Sequence, residues 1–169
     1  SRMGEVAIYC EFAFDGAVIS NNLIEDLNGN TWGGDGRSLQ VLNGVHHLTV
    51  EHNTFINPLG GTFVNADGPN FPNENFIYLN NITSNGVYGL HGSGKGIGNP
   101  ALNFYFPGAQ FHHNVLTDGK ASNGGTASNY PAENYFPGPM ENIGFQAFNL
   151  GIGGDYRLKP GSVFSSAGS

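Results

Sequence analysis

The chain is 169 residues long, with 27 Gly, one Cys, 11% charged residues and a formal net charge of −7. A single cysteine excludes an intrachain disulfide framework and a Cys-x-x-Cys metal knuckle. The acidic balance, with only 6 Lys and Arg, argues against nucleic acid as a partner, and no apolar run reaches the ~20 residues of a membrane span.

Read from the start, the chain opens on Ser-Arg-Met-Gly with no signal-peptide pattern, as a mature or truncated end would. Val6–Cys10 is strand-like, and Cys10 within it reads as a buried structural thiol. The segment 18–24, Val-Ile-Ser-Asn-Asn-Leu-Ile, is the first of four related units. Ser38–Leu42 predicts another strand, followed by the second unit at 49–55. Thr62–Ala66 and the third unit at 77–83 repeat the arrangement, as do Val87–Leu90 and the fourth unit at 110–116. The segments are short, β-branched or aromatic, and bounded by Gly, Asn and Pro, the mark of strands rather than helices. Gly119–Pro139 has no clear period and reads as a long loop. Glu141–Phe148 and Asp155–Leu158 read as closing strands or a cap. The chain is thus expected to be one domain, 1–169, with regular coils over 1–118 and a loop and cap over 119–169.

Each unit centres on a fixed Asn: Asn22, Asn53, Asn81 and Asn114, spaced 31, 28 and 33 residues apart. An apolar or aromatic residue lies three before it. A second, mostly apolar residue lies two after it, with Thr83 the weakest. A period in this range means a stacked repeat. Asn tolerates a left-handed bend between strands, and its amide both donates and accepts, so equivalent residues can bond as a ladder. The fold expected is all-β: a right-handed parallel β-helix of about four coils. Its N-terminal end shows no cap, so missing upstream coils or a homodimer through the N-terminal coil is expected.

With these Asn units, the run Trp32-Gly33-Gly34-Asp35-Gly36-Arg37 and the run Gly154-Asp155-Tyr156-Arg157-Leu158 before Pro160-Gly161-Ser162, the chain resembles the parallel β-helix proteins of the pectate-lyase-like superfamily. The likeness is greatest to the C-terminal portion of secreted bacterial members. It implies an extracellular or periplasmic location and a polysaccharide or other glycan as partner. It also implies a substrate groove beside the strand that precedes the variable loops. The architecture serves lyases, hydrolases, isomerases and non-catalytic proteins alike, and no defined catalytic motif carries over.

Asp35, Arg37, Gln40, Asn43, Asn65, Asp67, His91 and Lys95 fall along that groove. If Val64, Ala66, Tyr88 and Leu90 point inward, Asp67 and His91 end adjacent strands about 4.8 Å apart. A carboxylate there could orient an imidazole acting as acid or base, while Arg37 or Lys95 neutralises an anion. Asp35-Gly36 and Asp67-Gly68 read first as turn dipeptides, and the catalytic pairing stands second to that. Trp32 and Tyr105 could stack on sugars or simply plug loops. The candidate catalytic set is therefore Asp35, Arg37, Asp67, His91 and Lys95, with Gln40, Asn43, Asn65, Trp32 and Tyr105 for substrate. His52, His112 and His113 are weak candidates for Zn²⁺, since a zinc site needs several ligands at about 2.0–2.2 Å. Glu25, Asp26 and Asp35 are the only dense acidic set for Ca²⁺, which takes about 6–8 oxygens. A carbohydrate lyase or hydrolase is the first functional expectation. A non-catalytic glycan-binding or structural solenoid and a metal-dependent hydrolase of esters or phosphoesters stand beside it.

Overall fold

The computed structural model describes residues 4–11, 15–57, 59–68, 71–117 and 126–165. The segment 118–125, which holds the start of the expected loop, lies outside them. The first coil contributes β1 (Val6–Glu11), β2 (Asp15–Ser20) and β3 (Leu23–Glu25), then a one-turn helix α1 (Gly29–Trp32). The second contributes β4 (Arg37–Leu42), β5 (His46–Glu51) and β6 (Thr54–Ile56), and the third β7 (Thr62–Asp67), β8 (Ile77–Leu79) and β9 (Ile82–Ser84). The fourth begins with β10 (Leu90–Gly92), which folds back on β11 (Gly96–Ile97), and continues through α2 (Asn99–Tyr105) to β12 (Gln110–His112) and β13 (Val115–Thr117). Equivalent strands stack in parallel. The first sheet runs β1-β4-β7-β10 with β11 at its edge, the second β2-β5-β8-β12 and the third β3-β6-β9-β13. The chain is a parallel β-solenoid. From the first strand of a face to the last it makes about three turns, slightly fewer than the four coils expected, because four stacked strands are separated by three steps.

The ladder is the axis of this stack. Asn22 Nδ2 donates to Asn53 Oδ1 at 3.0 Å, Asn53 Nδ2 to Asn81 Oδ1 at 3.0 Å, and Asn81 Nδ2 to Asn114 Oδ1 at 3.1 Å. A fifth rung follows, with Asn114 Nδ2 donating to Asn134 Oδ1 at 3.0 Å. The fixed Asn is not itself the left-handed residue, contrary to expectation. The residue before it is: Asn21 (φ 57), His52 (φ 53), Asn80 (φ 58) and His113 (φ 57). That division of labour leaves the ladder residue free to aim its amide inward while its neighbour absorbs the bend.

Inside the coils, columns of side chains pack in register. Ile19, Val50, Tyr78 and Phe111 form one such column. Its aromatic end is stacked, Tyr78 on Phe111 at 5.2 Å and Phe111 on Tyr130 at 5.9 Å. Thr83, the weakest member of the sequence pattern, is buried with its hydroxyl 2.8 Å from Tyr78 Oη, so the polar atom is satisfied. Burial pushes the hydroxyls of Tyr78 and Tyr130 and the Cys10 thiol above their ordinary values. In the first coil Ile8, Ala17, Ile19 and Ile24 are only partly buried, whereas Leu39, Leu48, Val50 and Phe55 one coil on are at most 1% exposed.

The C-terminal segment covers the solenoid in two places. Tyr130 closes the far end, its hydroxyl accepting from Leu90 N at 3.1 Å, and the chain from Glu133 to Tyr135 pairs with His113 to Leu116. The antiparallel hairpin of β14 (Phe145–Ala147) and β15 (Asp155–Leu158) lies instead along the third sheet, where Phe145 and Tyr156 cluster with Ile56 and Val115. Tyr156 Oη donates to Glu25 in the first coil at 2.7 Å. The hairpin is therefore a lateral strap spanning the coils.

Candidate functional site

The first sheet carries the site on its outer face. Inward residues alternate with outward ones, and Leu39, Val41, Val64, Ala66 and Leu90 fill the core. The outward column between them is Tyr9, Gln40, Asn65 and His91, each paired directly with the next. Upstream of each strand the chain turns through glycine. Gly61 N donates to Asp35 O at 2.8 Å, and Tyr88 N to Gly61 O at 2.7 Å, so successive turns stack as closely as strands do. Gly36 (φ +61) passes so close to Gly60 that a side chain at Gly36 would crowd its Cα, at 3.1 Å from a Cβ.

These turns and the column enclose an open cleft of about 390 Å³, lined by Asp35, Arg37, Gly61, Thr62, Asn65, Tyr88 and His91. Four residues expected at the groove, Asp35, Arg37, Asn65 and His91, thus meet. Arg37 donates to Gln40 Oε1 at 2.7 Å and to the Asp35 carboxylate, with Glu5 3.7 Å away. Gln40 therefore orients Arg37 from behind. Nδ1 of His91 lies 3.3 Å from Asn65 Oδ1, and its ring is 5.8 Å from that of Tyr88. A carbonyl oxygen only accepts, so this contact places the neutral imidazole's proton on Nδ1 and leaves Nε2 as a lone pair. Burial lowers the His91 pKa below its usual value, the nearby Arg37 lowers it further, and Asp67 opposes both.

The other expected residues lie elsewhere. The strand expected at Val87–Leu90 begins only at Leu90, because Gly86 and Gly89 are both left-handed (φ 63 and 62) and turn the chain first. Tyr88 therefore points outward, 44% exposed, rather than inward. The partner of His91 on β7 is Asn65 rather than Asp67, which stands opposite Leu42 of β4. Asp67 does not line the cleft. Its Oδ1 accepts from Gly68 N at 2.8 Å, as a turn residue, and it reaches His91 only through its field. Asn43 Nδ2 donates to Glu11 at 2.8 Å, off the cleft. Lys95 stands over the Phe104 ring, 3.9 Å from its centroid. Tyr105 is 2% exposed with its hydroxyl donating to Ser93 O at 2.6 Å, so its ring face is closed to a ligand. Trp32, on α1, is exposed but not a lining residue of the cleft.

Glu25 accepts from Gly153 N and Tyr156 Oη, while Asp35 holds Arg37, so the acidic set considered for Ca²⁺ is divided between partners. Of the histidines, His52 faces Asn80, with 3.5 Å between Nε2 and the Asn80 amide. His112 and His113 are instead joined by Glu133, which sequence reasoning passed over. Thr62, Gly61 and Tyr88 were also missed as cleft residues; the glycines flanking Tyr88 were the available signal. No protein-family model matches the chain, and no curated protein or solved structure is significantly similar to it.

Proposed function

We propose that the protein is a secreted carbohydrate-active solenoid of the pectate-lyase-like kind, which binds an acidic polysaccharide across the first sheet and cleaves it as a lyase. The observation that carries this reading is the meeting of a neutral-leaning imidazole, a guanidinium and an exposed tyrosine in one open cleft. A uronate carboxylate docks at Arg37, with Asn65 and Thr62 for ring hydroxyls and the Tyr88 face for the sugar's apolar side. Nε2 of His91 takes the proton α to that carboxylate. The electron pair left behind forms the double bond, the β carbon–oxygen bond to the leaving sugar breaks, and the leaving oxygen takes a proton from water. Arg37 balances the charge that builds on the carboxylate. Hydrolysis with a pair of acids is less well supported, since glycosidases place two carboxyl groups about 5–10 Å apart and, among the described residues, Asp35 is the only carboxylate lining the cleft.

A second reading, binding without turnover, is favoured by one observation: Arg37 already has Asp35 and Gln40 as partners, so a substrate carboxylate must compete for it. Incubation with a panel of uronate polysaccharides separates the two. New ultraviolet absorbance from an unsaturated product, lost in His91→Ala, supports the lyase. Retention on the immobilised polysaccharide without product supports binding alone. Neither product nor retention on any acidic glycan overturns both.

A further inference from the structure

On a different face from the cleft, the fifth rung of the ladder creates a three-ligand constellation. Asn134 continues the stack after only 20 residues, its Oδ1 accepting from Asn114 N at 3.0 Å, and its Nδ2 donates to Phe111 O at 3.1 Å. That lays Glu133 in the column of His113, one strand spacing above it, with His113 N donating to Glu133 O at 2.5 Å. His112 ends β12 beside them. The imidazoles of His112 and His113 meet edge to face, 4.7 Å between centroids. One ring nitrogen from each and a carboxylate oxygen of Glu133 all lie within 4.8 Å of one another. Nδ1 of His112 is a buried polar atom with no hydrogen-bond partner among the described residues, which ordinarily costs about 1–3 kcal/mol. A ligand that accepts its lone pair removes that cost.

We propose that His112, His113 and Glu133 bind one divalent transition-metal ion, of which Zn²⁺ is the best fit. Two imidazoles and one carboxylate are a zinc-type donor set that leaves a fourth position for water. Ligands at about 2.0–2.2 Å from a tetrahedral ion stand roughly 3.4 Å apart. The exposed Glu133 side chain supplies the closure by rotating inward, because the histidines are held by strand and ladder. The intervening-residue obstacle that separates His52 from His113, with Asn80 between them, does not arise here, since Glu133 is on the adjacent rung.

The stack itself supplies conservative substitutions. Asn80 occupies the left-handed position of His113 one coil earlier, and Leu79 the position of His112. Zn²⁺ titration of the full chain by calorimetry, with Co²⁺ absorption to report coordination, is expected to give one site per chain. His113→Asn, His112→Leu and Glu133→Gln should each weaken it roughly tenfold or more, with circular dichroism unchanged. His52→Asn, the same exchange in another coil, should leave it intact. No Zn²⁺ or Co²⁺ bound by the full chain, an affinity unaltered by Glu133→Gln on its exposed side chain, or equal loss in His52→Asn would each overturn the assignment.

Discussion

His91 and Asn65 are direct neighbours across β10 and β7, with Nδ1 of the one 3.3 Å from Oδ1 of the other. An amide, not a carboxylate, orients the imidazole. It sets the tautomer without adding charge, so burial and Arg37 keep the ring's pKa low.

Replacing His91 is expected to remove catalysis without unfolding the chain. It is a partly buried residue on an outer face, outside the hydrophobic core. His91→Gln should cost about 1 kcal/mol or less in stability and abolish formation of unsaturated product. A melting curve and a product assay on the same preparation check it; unchanged turnover would remove His91 as the base.

The pH dependence has a definite sign. The folded His91 pKa lies below the unfolded value of about 6.5. As a base, His91 should lose activity as pH falls through that lowered pKa and be fully competent by about pH 7.5. For stability, the unfolded chain binds the proton more readily, so the contribution of neutral His91 is present above about 6.5 and lost as pH falls through the folded pKa. Asp67→Asn removes the one influence that raises the value and should lower it further. An NMR titration of the imidazole checks this, and an upward shift would contradict it.

Ladder substitutions should cost most in the middle. Asn81 is fully buried, donates to Val50 O and Asn114, and accepts from Asn53 N and Nδ2. Asn81→Ala strands several of these groups at about 1–3 kcal/mol each, so a loss of roughly 2–5 kcal/mol is expected. Asn22 is exposed and sits at the end of the ladder, and Asn22→Ala should cost less than about 1 kcal/mol. Urea unfolding of both variants measures the difference; equal losses would show that the ladder is not the mechanical axis.

Core truncation should show the same gradient. Leu39 and Ile8 are register partners one coil apart, the first 0% exposed and the second only partly buried. Leu39→Ala should cost about 2–5 kcal/mol and Ile8→Ala well under half of whatever Leu39→Ala costs, by the same measurement.

The coils were legible because a solenoid repeats its demands. An apolar residue three before an Asn, and another two after it, recur wherever the chain must fill a core and turn a corner. Strand positions at β1, β4 and β7 followed directly. Two things hid the rest. Glycines on either side of Tyr88 moved one strand start and turned that side chain outward, a shift that patterns of period two do not reveal. The fifth rung lay 20 residues after the fourth, outside the spacing of the others, with Pro131 where the repeat has an apolar strand residue. Asn134, and with it Glu133, therefore read as loop.

The ladder also has a direction. Every link runs the same way, from the Nδ2 of one coil to the Oδ1 of the next. At Asn134 the donor turns back to Pro131 O at 3.0 Å, which terminates the run. At Asn22 the amide spends its donors on Asn53 and Ser20, leaving the oxygen as the outward group. In polymer terms one end is quenched and the other can add only a donor. Two copies meeting at Asn22 about a two-fold axis would set acceptor against acceptor, and Asn134 has already spent its amide hydrogens on Phe111 O and Pro131 O, so neither a two-fold nor a head-to-tail meeting of these rungs continues the ladder from one molecule to the next.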